Sequence, residues 1–370
     1  MSTVTNSKLF SPISQGFIQV SNMIDRIGYA CVNTQLHKSG VRMRTVQKAT
    51  IDKGGMPVIE NLITENLNNL VKLLEWNVDN GIRLFRVGGD VFPWLGTYSI
   101  DSLSNLSDVE YMAGFVGEFA REHDIRLTFH PGPFNVLCSP NPEVVNKTIA
   151  ELDAHSQIFD MMGFDPSHYN KINIHVGGVY GDKVSALERW SQNYLRLSES
   201  TRKRLTIEND DKPNMYSVQD LYGLYELCDG KLPIVFDYFH HRFHTGGLSE
   251  QEALELAIST WPSGITPVTH YSESRREEHT RVITDICRIN GIDLDNLHDW
   301  PTLYEQYVHY STIKYQAHSD LVDGPIETYG NRIDVVVEAK AKEQAVLGLL
   351  DSEKKSKIRE NFYLGGCIIG

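Results

Sequence analysis

Paired cysteines are missing from this chain. Its five, Cys31, Cys138, Cys228, Cys287 and Cys367, are scattered with no CxxC spacing, which excludes a disulfide-stapled scaffold and a thiolate zinc ribbon and fits a reducing compartment. Long apolar runs are missing too. No stretch reaches the roughly 18 residues of a membrane span, and the opening "MSTVTNSKLFSPISQGFIQVSNMID" lacks the basic start and apolar core of a secretory signal. Low-complexity tracts and internal repeats are absent. Positive charge is in short supply: 35 Lys and Arg against 48 Asp and Glu leave a formal charge of −13. That balance excludes a protein that coats nucleic acid through bulk charge, while leaving room for a local basic patch or a carboxylate cluster neutralised by cations. Together these absences predict a soluble intracellular protein without a membrane partner, cytoplasmic in a prokaryote and nuclear or organellar in a eukaryote.

What is present is an alternation of strand and helix signals. Short apolar runs stand at "RIGYACVN" (26–33), "IRLFRVG" (82–88), "IRLTFHP" (125–131), "INIHVGG" (172–178), "LTIEND" (205–210), "PIVFDYFHH" (233–241), "TPVTHYSES" (266–274) and "IDVVVEAK" (333–340). These are eight candidate strands. Helix starts lie between them: Ser107 with Glu110 and Ser249 with Glu252 have capping-box spacing, and Pro142 suits a first helical turn. Nearly continuous apolar strands are covered on both faces, so the pattern predicts an α/β fold, a (β/α)8 TIM barrel. The expected organisation is an extension over 1–25, one barrel domain over 26–350 with an insertion at 275–330 before the last strand, and a tail over 351–370.

The strand ends then invite comparison. His130 closes the third strand, His175 the fourth, Glu208 the fifth, Asp237 the sixth with His240 just beyond, His270 the seventh and Glu338 the eighth. In such a barrel the C-terminal strand ends ring the active-site mouth, so these residues should converge. Buried together without a cation, the carboxylates would repel one another and every group would pay desolvation. The set therefore predicts divalent ions, two or three of them, with zinc, manganese, iron or cobalt suited to mixed imidazole and carboxylate ligands. Paired ions are the usual device for in-line displacement at phosphorus, with Glu208 the central candidate to bridge them. His241 and His244 in "HHRFH" lack the glutamate of a zinc-protease helix and rank below the strand-end residues. Lys340 and Lys342, in "EAKAKEQ", are candidates for phosphate contacts at the rim.

The chain resembles the ultraviolet damage endonuclease family from about Arg26 to Gln344, through "GYACVN", "LFRVG", "FHPGPF", "SPNPEVV", "HVGGVYGDK", "IEND", "FDYFHH", "THYSES", "AHSD" and "VVVEAKAKEQA". The resemblance implies a repair nuclease that nicks the damaged strand 5′ to cyclobutane dimers and 6-4 photoproducts, using divalent ions, manganese first, with zinc, magnesium or cobalt as alternatives. Carried over by motif, the ligands are His130, His175, Glu208, Asp237, His240, His270, His318 and Glu338, with Glu208, Glu338 and His270 carrying the chemistry. It also implies that Tyr29 and Asn33 contact the lesion, and that Phe134, beside Pro133, is a wedge filling the gap left by displaced nucleotides. Three positions depart from the family pattern: Pro133 replaces a usual glutamine, Thr97 a usual histidine and Val268 a frequent lysine. The first bears on lesion preference and the second on a third ion. The implied partner is damaged double-stranded DNA, with no protein partner, so a monomer is expected. A sugar isomerase or an abasic-site endonuclease on the same barrel is the alternative.

Overall fold

The computed structural model describes residues 23–351 together with 354, 358 and 359. The expected N-terminal extension, except for its last three residues, and most of the expected tail lie outside the described residues. All eight expected strands form: β1 (Ile24–Ala30), β2 (Leu84–Val87), β3 (Arg126–Phe129), β4 (Ile172–His175), β5 (Leu205–Glu208), β6 (Ile234–Asp237), β7 (Val268–Tyr271) and β8 (Ile333–Val337). They pair in parallel in chain order, and β8 closes on β1. The result is a closed (β/α)8 barrel.

The chain divides into two units. The first, Met23–Tyr271 with Thr328–Val337, holds the whole barrel and helices α1 (Thr34–Lys38), α2 (Lys48–Gly54), α3 (Met56–Asp79), α4 (Leu106–Glu122), α5 (Pro142–Met161), α6 (Lys183–Tyr194), α7 (Glu199–Arg202), α8 (Val218–Leu227), α9 (Tyr238–Phe243) and α10 (Glu250–Ser259). The second, Ser272–Glu327 with the described residues from Glu338 on, holds α11 (Arg275–Asn290), α12 (Pro301–Ser311) and α13 (Glu343–Leu350).

Local chemistry explains the helices. Along α3, Ile59, Leu62, Ile63, Leu67, Leu70, Leu73 and Leu74 are buried at spacings of three and four, the stripe a helix needs to cover a sheet. Asn141 caps α5 with Pro142 in the first turn, as expected, and Ser249 with Glu252 closes a capping box on α10. The expected box at Ser107 does not form: α4 starts at Leu106 with Asn105 at its N-cap, so Ser107 already lies inside the helix. An unexpected box, Ser217 with Asp220, opens α8.

The barrel interior is built in layers. At the N-terminal end Arg126 and Asp334 form a buried ion pair of 2.8 Å, and the Arg126 guanidinium also donates to the carbonyls of Thr266, Tyr169 and His168. Above it, Leu84, Val235, Val268 and Val336 make an apolar layer with Ala30. The upper, C-terminal layer is polar again, and it positions the site.

Candidate metal centre

Strand alternation decides which side chains enter the barrel. On β4 to β7 the inward pairs are Asn173 and His175, Thr206 and Glu208, Val235 and Asp237, Val268 and His270, while His130 follows one residue after β3. The register places His175 beside Glu208 and Asp237 beside His270 on neighbouring strands. Four strands and the start of α9 thus deliver ligand chemistry to one level.

Glu208 is the hub. Its carboxylate is 1% exposed, with Oε2 at 3.0 Å from His130 Nε2 and Oε1 at 3.0 Å from His270 Nδ1 and 3.7 Å from His240 Nδ1. Of the three groups of His and carboxylate side chains among the described residues that could hold a cation, one is Glu278 with His279 and Asp320 in the second unit, and two lie in the barrel: His130 with Glu208 and His270, and His175 with Glu208 and His240. Both use Glu208, the arrangement a bridging carboxylate requires.

Protons alone serve this cluster poorly. His130 Nδ1 lies 3.1 Å from the Pro131 carbonyl and Nε2 lies against Glu208, so both nitrogens face oxygen acceptors. Yet burial pushes the His130 ring below its usual range, with the Arg86 and His175 charges adding to the effect and Glu208 opposing it. A neutral ring has one proton for two acceptors. With that proton on Nδ1, the Nε2 lone pair and Glu208 Oε2 face each other, and a cation between them resolves the mismatch.

The outer partners fit the same reading. His240 Nδ1 lies 2.8 Å from the Asn209 carbonyl and His175 Nδ1 lies 3.3 Å from Asp210 Oδ1, so an oxygen acceptor restrains each ring. The tripeptide Glu208-Asn209-Asp210 therefore supplies the hub and support for two rings. Asn209 also ties β5 to β6, donating from Nδ2 to the Asp237 carbonyl and accepting from the Asp237 amide. Asp237 accepts from the His240 amide at the start of α9. Burial opposes a charge on His175, but Glu208, Asp210 and Asp237 more than offset it and raise the ring to about 9. His240 rises against burial to about 8 through Asp237 and Glu208. Burial would raise Glu208, but the charges of His270 and His175 and hydrogen bonds from His130 and His270 hold it well below the usual carboxylate range.

One support escaped sequence reasoning. Asn173 donates its side-chain amide to Glu208 Oε2 from inside the barrel, and the Thr206 hydroxyl donates to Asn173 Oδ1 at 2.8 Å. Thr206 thereby fixes which end of the Asn173 amide faces the carboxylate.

The structure brings together His130, His175, Glu208, Asp237, His240 and His270. His318 and Glu338 belong to the second unit, where His318 Nδ1 lies 2.9 Å from both the Ser272 hydroxyl and the Glu338 carbonyl. Lys340, in the same unit, is exposed. His241 is buried against Phe236 and stands in none of the three groups. Thr97 is exposed, its hydroxyl donating to the Trp94 carbonyl at 2.7 Å. Val268 is buried.

Tyr29 and Asn33 are not at the surface. Tyr29 is 0% exposed and turned outward from the barrel, its hydroxyl donating to Asn77 of α3 at 2.8 Å and accepting from Asn33 at 3.0 Å. Asn33 Oδ1 caps α1. Tyr29 and Asn33 thus fix the first βα connection.

Phe134 is 87% exposed, and Pro133 beside it is exposed. The turn beneath is well tied. Asn135 donates to the Gly132 carbonyl and to Glu151, the Val136 amide donates to Thr148, and the Cys138 thiol donates to the carbonyls of Val176 and Gly178 in the β4 connection.

Comparison with known proteins places this geometry. A profile described as UV-endonuclease UvdE matches residues 25–362. A UV-damage endonuclease of Schizosaccharomyces pombe is 34% identical across 88% of this chain and 50% of its own length. A UV DNA damage endonuclease of Clostridium perfringens is 33% identical across 67% of this chain and 58% of its own length. The chain thus spans about half the length of either relative. The crystal structure of SacUVDE superposes with a TM-score of 0.70 at 26% identity, over 90% of this chain and 99% of that one.

Proposed function

Because the chain belongs to the UV-endonuclease family UvdE, we propose that it hydrolyses a DNA phosphodiester bond on the 5′ side of cyclobutane dimers and 6-4 photoproducts, with divalent cations held at the Glu208 cluster. The observation that carries this reading is Glu208 itself, whose buried carboxylate is common to both imidazole groups of the barrel. The ligands proposed from the barrel unit are His130, His175, Glu208, Asp237, His240 and His270, with manganese the first choice. Bound there, paired cations supply Lewis-acid stabilisation of the phosphoryl oxygens and lower the pKa of water.

The chain's own residues do the positioning. Glu208 spaces the two groups, Asn173 fixes its rotamer, and Asp210 and the Asn209 carbonyl hold the rings of His175 and His240. A water oxygen bonds to phosphorus as the bond to the 3′-oxygen breaks, and the leaving oxygen takes up a proton, giving a 3′-hydroxyl and a 5′-phosphate. Phe134, projecting from a tied turn, replaces a displaced base by stacking.

Irradiated and plain supercoiled plasmid incubated with manganese or with chelator tests the reading. Nicked circles should form from irradiated plasmid with manganese and not with chelator. Equal inactivity on both plasmids across manganese, magnesium, cobalt and zinc would overturn it.

A further inference from the structure

We propose that the basic strap at residues 34–54, between β1 and α3, is a track for DNA phosphates. This deepens the proposed endonuclease reading and rests on it. In a chain of net charge −13, these residues carry five cations, Lys38, Arg42, Arg44, Lys48 and Lys53, against a single acid, Asp52. The strap leaves the C-terminal end of β1, so it lies on the barrel face where the Glu208 cluster sits. All five cations are exposed.

The strap is built rather than loose. The Asn66 side chain of α3 accepts from the Arg44 amide at 2.7 Å and donates to the Arg44 carbonyl at 2.9 Å, so one side chain grips both backbone groups. Asn69 donates to the Arg42 carbonyl at 3.0 Å, and the Trp94 indole donates to the Val46 carbonyl at 2.9 Å. Both asparagines are buried. Between these clamps the chain alternates: Val41 and Met43 are half-buried, while Arg42 and Arg44 face solvent. Arg44 pairs with Glu65 at 2.9 Å. Among the described residues, Lys38, Lys48 and Lys53 have no acid within ion-pair distance. A cationic row held in place before binding loses little freedom on contact, which suits a polyanion of regular charge spacing.

The test is the salt dependence of binding to a duplex oligonucleotide carrying one cyclobutane dimer, followed by fluorescence anisotropy. Each phosphate contact contributes about 0.9 to the slope of log affinity against log salt. The variant Lys38→Gln, Arg42→Gln, Lys48→Gln should lose roughly two to three of that slope while keeping wild-type thermal stability. A control of equal charge change, Lys203→Gln, Lys231→Gln, Arg332→Gln, alters residues just before β5, β6 and β8 on the opposite barrel face, and should keep the wild-type slope. Nicking of irradiated plasmid by the wild type is measured on the same preparations. If the wild type nicks but the strap variant keeps its slope, or the control loses as much, the track is overturned and the endonuclease reading stands. If the wild type neither binds nor nicks, both fall.

Discussion

Glu208 makes more contacts than the proposed ligand role alone would demand, and the surplus identifies what holds it. His130 and Asn173 share Oε2 while His270 takes Oε1, so the carboxylate cannot rotate without breaking a buried hydrogen bond. Orienting partners of metal ligands typically control about 10- to 100-fold in affinity or activity. Asn173→Ala should therefore weaken manganese binding by about that factor, measured by calorimetry, and lower nicking in step while far-UV circular dichroism stays unchanged. Unchanged manganese affinity would reduce Asn173 to a packing residue. Phe134 is the opposite case, since a ring that is 87% exposed contributes little to folding. Phe134→Ala should leave thermal stability unchanged and weaken binding to dimer-containing duplex about tenfold, within the roughly 1–3 kcal/mol of a stacked base. Wild-type affinity would place the wedge elsewhere.

Between residue and molecule, the βα connections after β3 and β4 act as one element. The Cys138 thiol joins them, and burial pushes it up to about 12, which keeps it protonated and donating. Gly177 sits at the seam with φ +99°, where a Cβ would meet Val136 Cγ1 at 2.5 Å. Gly177→Ala adds backbone strain to a clash and should cost about 1–3 kcal/mol in thermal unfolding while weakening damaged-duplex binding. Wild-type behaviour in both would show that the seam is slack. The strands of this element were legible from sequence because buried parallel strands read as continuous apolar runs, and His130 and His175 stood out at their ends. Asn173 and Thr206 did not, since an amide or hydroxyl inside a strand announces no chemistry until its partner is placed. The direction of Tyr29 was hidden for a related reason. Alternation puts Ala30 into the inner apolar layer, so its neighbour Tyr29 must face α3, and motif position at the mouth says nothing about side-chain direction. Helix starts were legible only in part: Ser249 and Glu252 close their box, whereas Ser107 has the same spacing but sits one residue inside α4.

At the scale of the whole molecule, a net charge of −13 and the proposed DNA substrate conflict only if charge is averaged over the chain. The strap concentrates cations, while the Glu208 cluster concentrates groups whose charge depends on what occupies it. That dependence gives opposite pH behaviour with and without metal. In the metal-free protein His175 is raised to about 9 and His240 to about 8, against about 6.5 for an unfolded histidine. A raised folded-state pKa contributes stability that is fully present below about 6.5 and lost as pH climbs through the folded values. His130 shifts the other way, but its effect is complete by about pH 6.5 and leaves the higher window to the other two. The chelated protein should therefore lose thermal stability from about pH 6.5 to 9. Cation binding requires neutral imidazoles and so releases those protons, which makes manganese affinity, and the stabilisation it gives, rise across the same window. Thermal unfolding with chelator and with manganese should show the two curves separating as pH increases. A chelated protein whose midpoint stays flat or rises from pH 6.5 to 9 would show that the imidazoles are not protonated around Glu208. A manganese-induced shift that shrinks with pH would show that the ion binds somewhere other than this cluster.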